Sequence, residues 1–441
     1  VNQKAKFVAC LCLILLSSIS CNRDQKDQSQ RTELIFWHSF VSSTVPALDA
    51  LIARFENEHP NIKIKAQYVP TGDALIQKLV TAIQSKSTPD ISWIHADFLE
   101  DLVKADAIYP MSEFLDGANG LPAEDLNDIY PSLIQAASWR GTLYSLPMEA
   151  TNLALLYNRE LFRKAGLDPN RPPQNWDELY SYAKKMTVDN NGDGRFDQVG
   201  FFVPVYPASG PLGSWMVWQW YPFLWQAGGE VISHDQTHVL FNNDAGVKAL
   251  EFWSKVFHEF KLNSFTIDYD VAFASQTLAM ALDGPWNLPR YKDLLKNLDW
   301  GITWLPAGPE KQATIAGGEY LTIFKQSQYP NEAWSFLKWI LRPDIQAFWA
   351  MQSGYLPVRH AALQVPEFKA YLETNLPFKA YVEQMEMSQS PTPIDYHGLR
   401  ITRFLAEGLE KSTVGNISPR VALDEAARKC NELLKSVAEN K

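Results

Sequence analysis

The sequence predicts an α/β protein with mixed, mostly parallel sheets flanked by helices. Three observations carry that expectation. Short apolar runs alternate with stretches of helical periodicity from Leu34 onward. The chain has 441 residues, and at about 150 residues per domain that length suggests two or three folding units. Apolar residues make up 46% and charged residues 20%, a globular balance that excludes a disordered chain or a coiled coil. The formal net charge of -10 argues against a general nucleic-acid binder, which would be basic.

Residues 1–21 stand apart from the fold. Lys4 and Lys6 precede an unbroken apolar run, Phe7 to Leu16. That run is too short to span a bilayer as a helix and has the length of a signal-peptide core. Small residues follow, and then Cys21. A small residue directly before Cys resembles the bacterial lipoprotein processing box, with Ser18 where the pattern prefers Leu. The resemblance implies a signal peptide over 1–21 and acylation of Cys21. Plain secretion and a short membrane anchor are the alternatives. Residues 22–32 form a tether, because Asn22 to Gln30 contains nothing that could be buried. The mature body is expected outside the cytoplasm, lipid-anchored at the periplasmic face or the outer surface of the cell membrane. Cys10 and Cys12 fall in the removed segment. Cys430 alone remains in the mature body and lies on the stripe Val421, Ala426, Cys430, Leu433, Val437, which reads as core.

Leu34 to Trp37 reads as a strand buried on both faces. Val45, Leu48, Leu51, Ile52 and Phe55 follow at helical spacing, and Pro60 stops that helix. Ile62 to Ala66 alternates as a strand does. Leu75, Leu79 and Ile83 mark a second helix ending before Pro89, and Ile91 to Ile94 is a third strand. Strand–helix–strand–helix–strand implies a parallel sheet with crossover helices. Ligands bind such sheets at the carboxyl ends of the strands, which gathers Trp37, His38, Ser39 and Asp97 at one mouth. Further strands are read at Leu153 to Tyr157, Trp300 to Leu305 and Tyr320 to Phe324. Trp176-Asp177-Glu178 opens a helix with an acidic first turn. The last third is helical, and Ser418-Pro419 starts the final helix.

No catalytic constellation stands out. The chain lacks a G-x-S-x-G, an H-E-x-x-H, a phosphate loop and a dinucleotide fingerprint. An enzyme is not expected, although the carboxylate spacing of a glycosidase is illegible in sequence. One loop is patterned for a cation. Asp189, Asn191, Asp193 and Asp197 occupy positions 1, 3, 5 and 9, with Gly194 at 6 and the Arg195 carbonyl at 7. This resembles a calcium loop, with Gly200 where the bidentate Glu would stand. A structural Ca²⁺ is the candidate cofactor; a self-bonded Asn/Asp/Gly turn is the alternative.

The 15 tryptophans exceed what packing needs. Trp215, Trp218, Trp220, Tyr221 and Trp225 crowd one segment. Helical spacing puts Trp218 with Trp225 on one face and Trp215 near Trp218, with Trp220 off that face. About half should be core. The rest offer flat faces suited to the apolar side of a sugar ring.

The motifs occur in an order that resembles a family: Phe36-Trp37-His38-Ser39, Pro89-Asp90-Ile91, Leu146-Pro147, Leu156-Tyr157-Asn158, Gly166-Leu167-Asp168-Pro169, Trp176-Asp177-Glu178-Leu179, Gly284-Pro285-Trp286, Gly317-Gly318 and Gly354-Tyr355-Leu356-Pro357. From about Leu34 to Leu434 the chain looks like a family 1 extracellular solute-binding protein of an ABC importer, the group of the maltose and glycerol-3-phosphate binding proteins. The resemblance implies a two-lobed periplasmic-binding-protein fold (type II) with the ligand cleft between lobes. It implies residues 33–147 plus 303–342 in the N-terminal lobe and 148–302 plus 343–441 in the C-terminal lobe, with crossings near Leu146-Pro147, Ile302–Leu305 and Ile340–Pro343. It also implies a monomer that closes by hinge motion and delivers its solute to permease transmembrane subunits.

Contacts follow by position. Trp286 matches a stacking Trp after Gly-Pro, Trp218 an aromatic contact of the second lobe with Trp220 beside it, and Asp97 an acid that meets sugar hydroxyls. Trp37, His38 and Ser39 match the first-strand loop. Glu149, Thr151 and Asn152 follow the first crossing. Gly317, Gly318 and Glu319 match a backbone-donor loop, and Tyr355 a ring near the ligand. Arg359 and Arg400 are the cations a phosphate would want, and Gly398-Leu399-Arg400 resembles the glycerol-3-phosphate branch. Asp97, Glu149, Asp283 and Glu319 would repel phosphate and suit neutral hydroxyls. A carbohydrate is therefore the expected ligand, with glycerol-3-phosphate or its diester as the alternative.

Overall fold

The computed structural model describes residues 31–438 other than 211, 261–267 and 392–393. The processing segment, Cys21 and the tether as far as residue 30 lie outside the described residues. The strands are β1 (Thr32–His38), β2 (Ile62–Tyr68), β3 (Ile91–Ile94), β4 (Ser138–Trp139), β5 (Thr142–Leu143), β6 (Leu146–Asn152), β7 (Ala154–Asn158), β8 (Val199–Phe201), β9 (Leu278–Asp283), β10 (Trp300–Thr303), β11 (Thr314–Ile323) and β12 (Ser388–Gln389).

The first sheet has the order β12-β11-β3-β1-β2, with β6 also paired to β11. β1 runs parallel to β2 and β3 because helices Val45–Glu58 and Asp73–Ser85 carry the chain back between strands. In the first of these helices Leu48, Leu51, Ile52 and Phe55 are buried at three- and four-residue intervals, which seats it on the sheet. β11 is antiparallel to both β3 and β6. The second sheet has the order β10-β7-β9-β8. It is antiparallel except where β8 joins β9. All five residues of β7 are buried, as a strand covered on both faces requires.

Each sheet has its own core. The first gathers side chains from Leu34 to Ala150 and from Ala316 to Met385, together with Ala154, Leu156, Phe273, Leu288, Tyr291 and Leu295. The second gathers the other buried side chains from Leu153 to Leu282, then Leu305 to Ile315, then Ile401 to Leu434. Cys430 lies in this second core, where burial pushes its thiol up to about 12. The protein is thus two α/β lobes, each discontinuous in sequence. Among the described residues, no helix is long and apolar enough to cross a membrane.

The crossings differ from those expected. The first falls at Leu153, between β6 and β7. The second falls at Ile315–Ala316, within β11, whose first residues serve one core and the rest the other. The third falls after helix Pro343–Ser353 rather than at Ile340–Pro343, since helix Leu376–Gln384 already meets the second lobe, where Gln384 accepts from the Leu305 amide at 2.7 Å and Tyr381 donates to Asp283 at 3.4 Å. Helix Pro343–Ser353 belongs with the first core. Gln346 donates to the carbonyls of Met148 and Ile340 at 2.9 and 3.1 Å, and Trp349 packs on Phe40. Only Leu341 and Arg342 separate this helix from Pro330–Ile340. So short a link makes the two helices neighbours.

Candidate ligand cleft

The cleft is built where the carboxyl ends of β1 and β3 meet the β6–β11 ladder. Opposite stands the helix Gly213–Gln226. That helix is apolar nearly all round, and most of its residues are buried, so few side chains are left to face the gap. Trp220, Tyr221 and Trp225 go into the core. Trp215 and Trp218 remain half-buried, one turn apart, and stack with centroids 4.9 Å apart and planes at 12°. Trp286, from the turn after β9, meets Trp215 edge-on at 5.6 Å and lies 6.4 Å from Trp218. The three rings form one aromatic wall. Trp218 reaches over the first sheet's ladder, since a Cβ at Gly317 would stand 2.9 Å from its ring and 3.1 Å from Thr151 Cγ2. Glycine at 317 allows that approach.

Facing the rings is a set of buried polar groups. In the β6–β11 register Glu149 lies directly opposite Glu319. Glu149 is fully buried and Glu319 is 9% exposed. The Trp349 indole donates to Glu149 Oε2 at 2.5 Å. Burial, then the neighbouring Glu319 charge, drives the Glu149 carboxyl well up, and burial also raises Glu319. Burial raises Asp97 to about 6. It lowers His95, which therefore stays neutral. Glu149 Oε1, Glu319 Oε2, Asp97 Oδ1, Thr151 Oγ1, Ser39 Oγ and Trp93 Nε1 are all buried without a hydrogen-bond partner in the protein. Such groups destabilise the fold by roughly 1–3 kcal/mol each when left unpaired. They are poised for a ligand rich in hydroxyls.

Several expected residues stand elsewhere. Trp37 donates to Gln67 at 3.1 Å, and the Lys78 ammonium covers its ring at 4.1 Å. His38 is buried among Phe36, Phe40 and Tyr68, and burial lowers it. Trp220 is fully buried in the second core because it points off the Trp215–Trp218 stripe. Asn152 is tied to Tyr381 and Gln384 at 2.9 and 3.0 Å. Asp283 accepts from Tyr269 and Asn287 at 2.7 and 2.8 Å, and burial raises it to about 6. Gly317 and Gly318 lie inside β11 rather than in a loop. Arg359 is not brought to the cleft. Its guanidinium bonds Asp128 at 2.9 Å, Asp125 at 2.5 Å and the Leu341 carbonyl at 3.1 Å. Arg400 is exposed on the first turn of helix Gly398–Thr413. Tyr355 lies against Phe40, and burial, then the charges of Glu319 and Glu149, raise its hydroxyl above its ordinary value.

The loop from Asp189 to Asp197 closes on itself. Asp189 accepts from the backbone of Gly192 and Gly194 at 2.7 and 2.9 Å, Asp193 from Arg195 at 2.8 Å, Asn191 from Asp193 at 2.9 Å, and Asp197 from Asn190 at 2.7 Å. These bonds, led by Gly194, hold the Asp189 carboxyl below its usual range. Gly200 packs on Ala183, where a Cβ would stand 2.0 Å from the carbonyl oxygen. The twelfth position therefore has no room for a glutamate. Among the described residues no group of three or more His, Cys, Asp or Glu side chains is arranged to hold a metal.

The profile of the bacterial extracellular solute-binding proteins matches residues 42–347. The chain belongs to that family. It is 25% identical to the sn-glycerol-3-phosphate-binding periplasmic protein UgpB of Escherichia coli over 423 residues, covering 92% of this chain and 93% of UgpB. Its structure resembles the cyclic alpha-maltosyl-1,6-maltose binding protein of Arthrobacter globiformis, with a TM-score of 0.78 and 26% identity over 92% of this chain and 100% of that one. UgpB of Mycobacterium tuberculosis, solved with glycerophosphocholine, shares the fold with a TM-score of 0.78 and 20% identity, over 92% and 99% of the two chains.

In this solute-binding protein, sequence reasoning missed a contact between the lobes. Glu100, from helix Leu99–Lys104 of the first lobe, accepts from the backbone of His397 at 2.8 Å and Gly398 at 3.1 Å. Those amides begin helix Gly398–Thr413 of the second lobe. The Trp139 indole donates to the Asp395 carbonyl at 3.2 Å, and Arg140 lies 4.3 Å over the Tyr396 ring. Trp93 was also missed, and Trp215, read as lying near Trp218, was not counted among the contacts. The i, i+3 spacing of Trp215 to Trp218 was the signal for the second.

Proposed function

We propose that this protein captures a carbohydrate outside the cytoplasm by closing its two lobes and delivers it to the permease of an ABC importer. The observation that carries this reading is the pairing of an aromatic wall with a floor of buried, partnerless oxygens. Trp215, Trp218 and Trp286 offer flat apolar faces. Glu149, Glu319, Asp97, Thr151 and Ser39 offer acceptors without a protein donor. A sugar ring has an apolar C–H face and a rim of hydroxyl donors, so it answers both. A phosphate dianion would meet carboxyl groups, and Arg359 is already held by Asp125 and Asp128. The sequence before residue 31 supports export and a lipid anchor at Cys21.

One observation favours a second reading. Arg400 is exposed at the start of the helix that Glu100 meets and could reach an anionic headgroup, as a glycerol-3-phosphate or glycerophosphodiester ligand would need. Thermal melting against a panel separates the two. The panel holds mono-, di- and trisaccharides, polyols and glycerol-3-phosphate. A ligand at 100 times its Kd stabilises the fold by about 2.7 kcal/mol. The expected result is a shift with one class of glycan. A shift with glycerol-3-phosphate alone would replace the carbohydrate reading with the second, and consumption of the glycan would identify an enzyme.

A further inference from the structure

We propose that Glu149 and Glu319 act as one acid pair sharing a proton, and that capture of the ligand is coupled to that proton. The inference rests on the carbohydrate reading of the cleft, and it names the groups that set its selectivity. The two carboxyls are placed by the backbone, as opposite partners in the β6–β11 ladder. Neither can swing into water, since both are buried. No lysine or arginine is among the charges that bear on either one. Two adjacent carboxylates without a cation cannot both stay ionised in such a place. A proton held between them leaves one donor and a fixed set of acceptors. Trp349 occupies Glu149 Oε2. Glu149 Oε1 and Glu319 Oε2, which have no other partner in the protein, are the oxygens that can hold the shared proton and accept ligand hydroxyls through their remaining lone pairs. The pair refuses anions, and it binds hydroxyl groups best while the proton stays.

His95, in the segment after β3, bears on Glu319, both glutamates bear on Tyr355 after helix Pro343–Ser353, and Trp349 donates its indole to Glu149. Asp97 and the more distant Asp283 titrate at about 6, and His95 titrates below its ordinary value. Tyr355 titrates above its ordinary value. Burial raises both members of the pair, and each glutamate carries the other as a neighbouring charge or hydrogen-bond partner.

The test is calorimetric titration of the protein with maltotriose and with mannotriose from pH 5 to pH 9, repeated with Glu319→Gln, whose amide cannot release a proton. One linked proton predicts that affinity falls by about tenfold per pH unit once the pair ionises, and that Glu319→Gln removes this slope. A wild-type affinity that varies with pH no differently from that of Glu319→Gln would overturn the inference. If neither sugar binds at any pH, those sugars fail as ligands while the pair is judged without ligand. Folding raises both carboxyls, so the stability they add is present at low pH and lost as pH rises through the folded value. The melting temperature of the wild type must then drop more steeply with rising pH than that of Glu319→Gln. Parallel melting profiles would show that no proton is shared and would sink the inference independently of any sugar.

Discussion

Replacing Glu100 should open the cleft without unfolding either lobe. Its carboxylate, 7% exposed, accepts two backbone amides at the start of a 16-residue helix from the other lobe. Hydrogen bonds to charged groups contribute about 1.5–3 kcal/mol each relative to their loss, but in an open form water would take over both partners. The better comparison is a capping group at a helix N-terminus, worth about 0.5–2 kcal/mol, with up to ~2 kcal/mol from the helix dipole in a partly buried site. These overlap, so about 2 kcal/mol is a fair total. It falls on the closed form alone, because Glu100 and His397 belong to different lobes. At 1.4 kcal/mol per tenfold, Glu100→Ala should weaken a bound sugar by roughly 10–30-fold, and Glu100→Gln, which keeps one acceptor, by less. Calorimetric titration gives the affinity, and small-angle scattering of the ligand-free protein gives the shape. The variant should have a larger radius of gyration, an unchanged melting temperature and weaker binding. Wild-type affinity in Glu100→Ala, or an unchanged radius with a lowered melting temperature, would refute the reasoning and make Glu100 a local support of its own lobe.

Other outcomes follow from the same geometry. Trp218→Ala or Trp286→Ala removes a face of the aromatic wall and should cost at least about 2 kcal/mol of binding, read as a ~30-fold rise in Kd by calorimetry with little change in melting. Arg359→Met should do the opposite. It strips the partner from Asp125 and Asp128 inside the first lobe, at a cost of about 3 kcal/mol. The melting temperature should drop by several degrees while sugar affinity at 10 °C stays within twofold. The loop at 189–197 should take calcium weakly, since its oxygens already serve its own backbone. Millimolar Ca²⁺ should raise the melting temperature slightly and Asp189→Asn should abolish the increment; an unchanged melt marks a self-held turn. Cys21→Ser should move the protein from the membrane fraction to the soluble exported fraction in cell fractionation.

What the sequence made legible was local. The runs Leu34–Trp37 and Ile91–Ile94, with amphipathic helices between, announced the parallel strands of the first sheet. Helical spacing paired Trp215 with Trp218 and turned Trp220 away, and that spacing was a better guide than the family position that placed Trp220 at the ligand. What stayed hidden depended on long-range register. Glu149 and Glu319 could each be singled out, but nothing in the chain says that two residues 170 positions apart come face to face. The third crossing was misplaced because helix Pro343–Ser353 has apolar residues on more than one side, so periodicity could not choose its lobe. Arg359 looked like a free cation because Asp125 and Asp128 lie more than 230 residues earlier. Glu100 carried no signal at all, since its partners are backbone amides of the opposite lobe.

The proposed ligand is hydroxyl-rich, uncharged and held whole between the two lobes. The measurement that meets this most directly is calorimetric titration with a neutral trisaccharide at pH 6. It is run with and without excess glycerol-3-phosphate, with chromatography of the sugar recovered afterwards. Saturable binding at one site per chain, no competition from glycerol-3-phosphate, and recovery of the sugar unchanged are the expected results. Binding abolished by glycerol-3-phosphate, or a trisaccharide returned as smaller sugars, would contradict the carbohydrate reading.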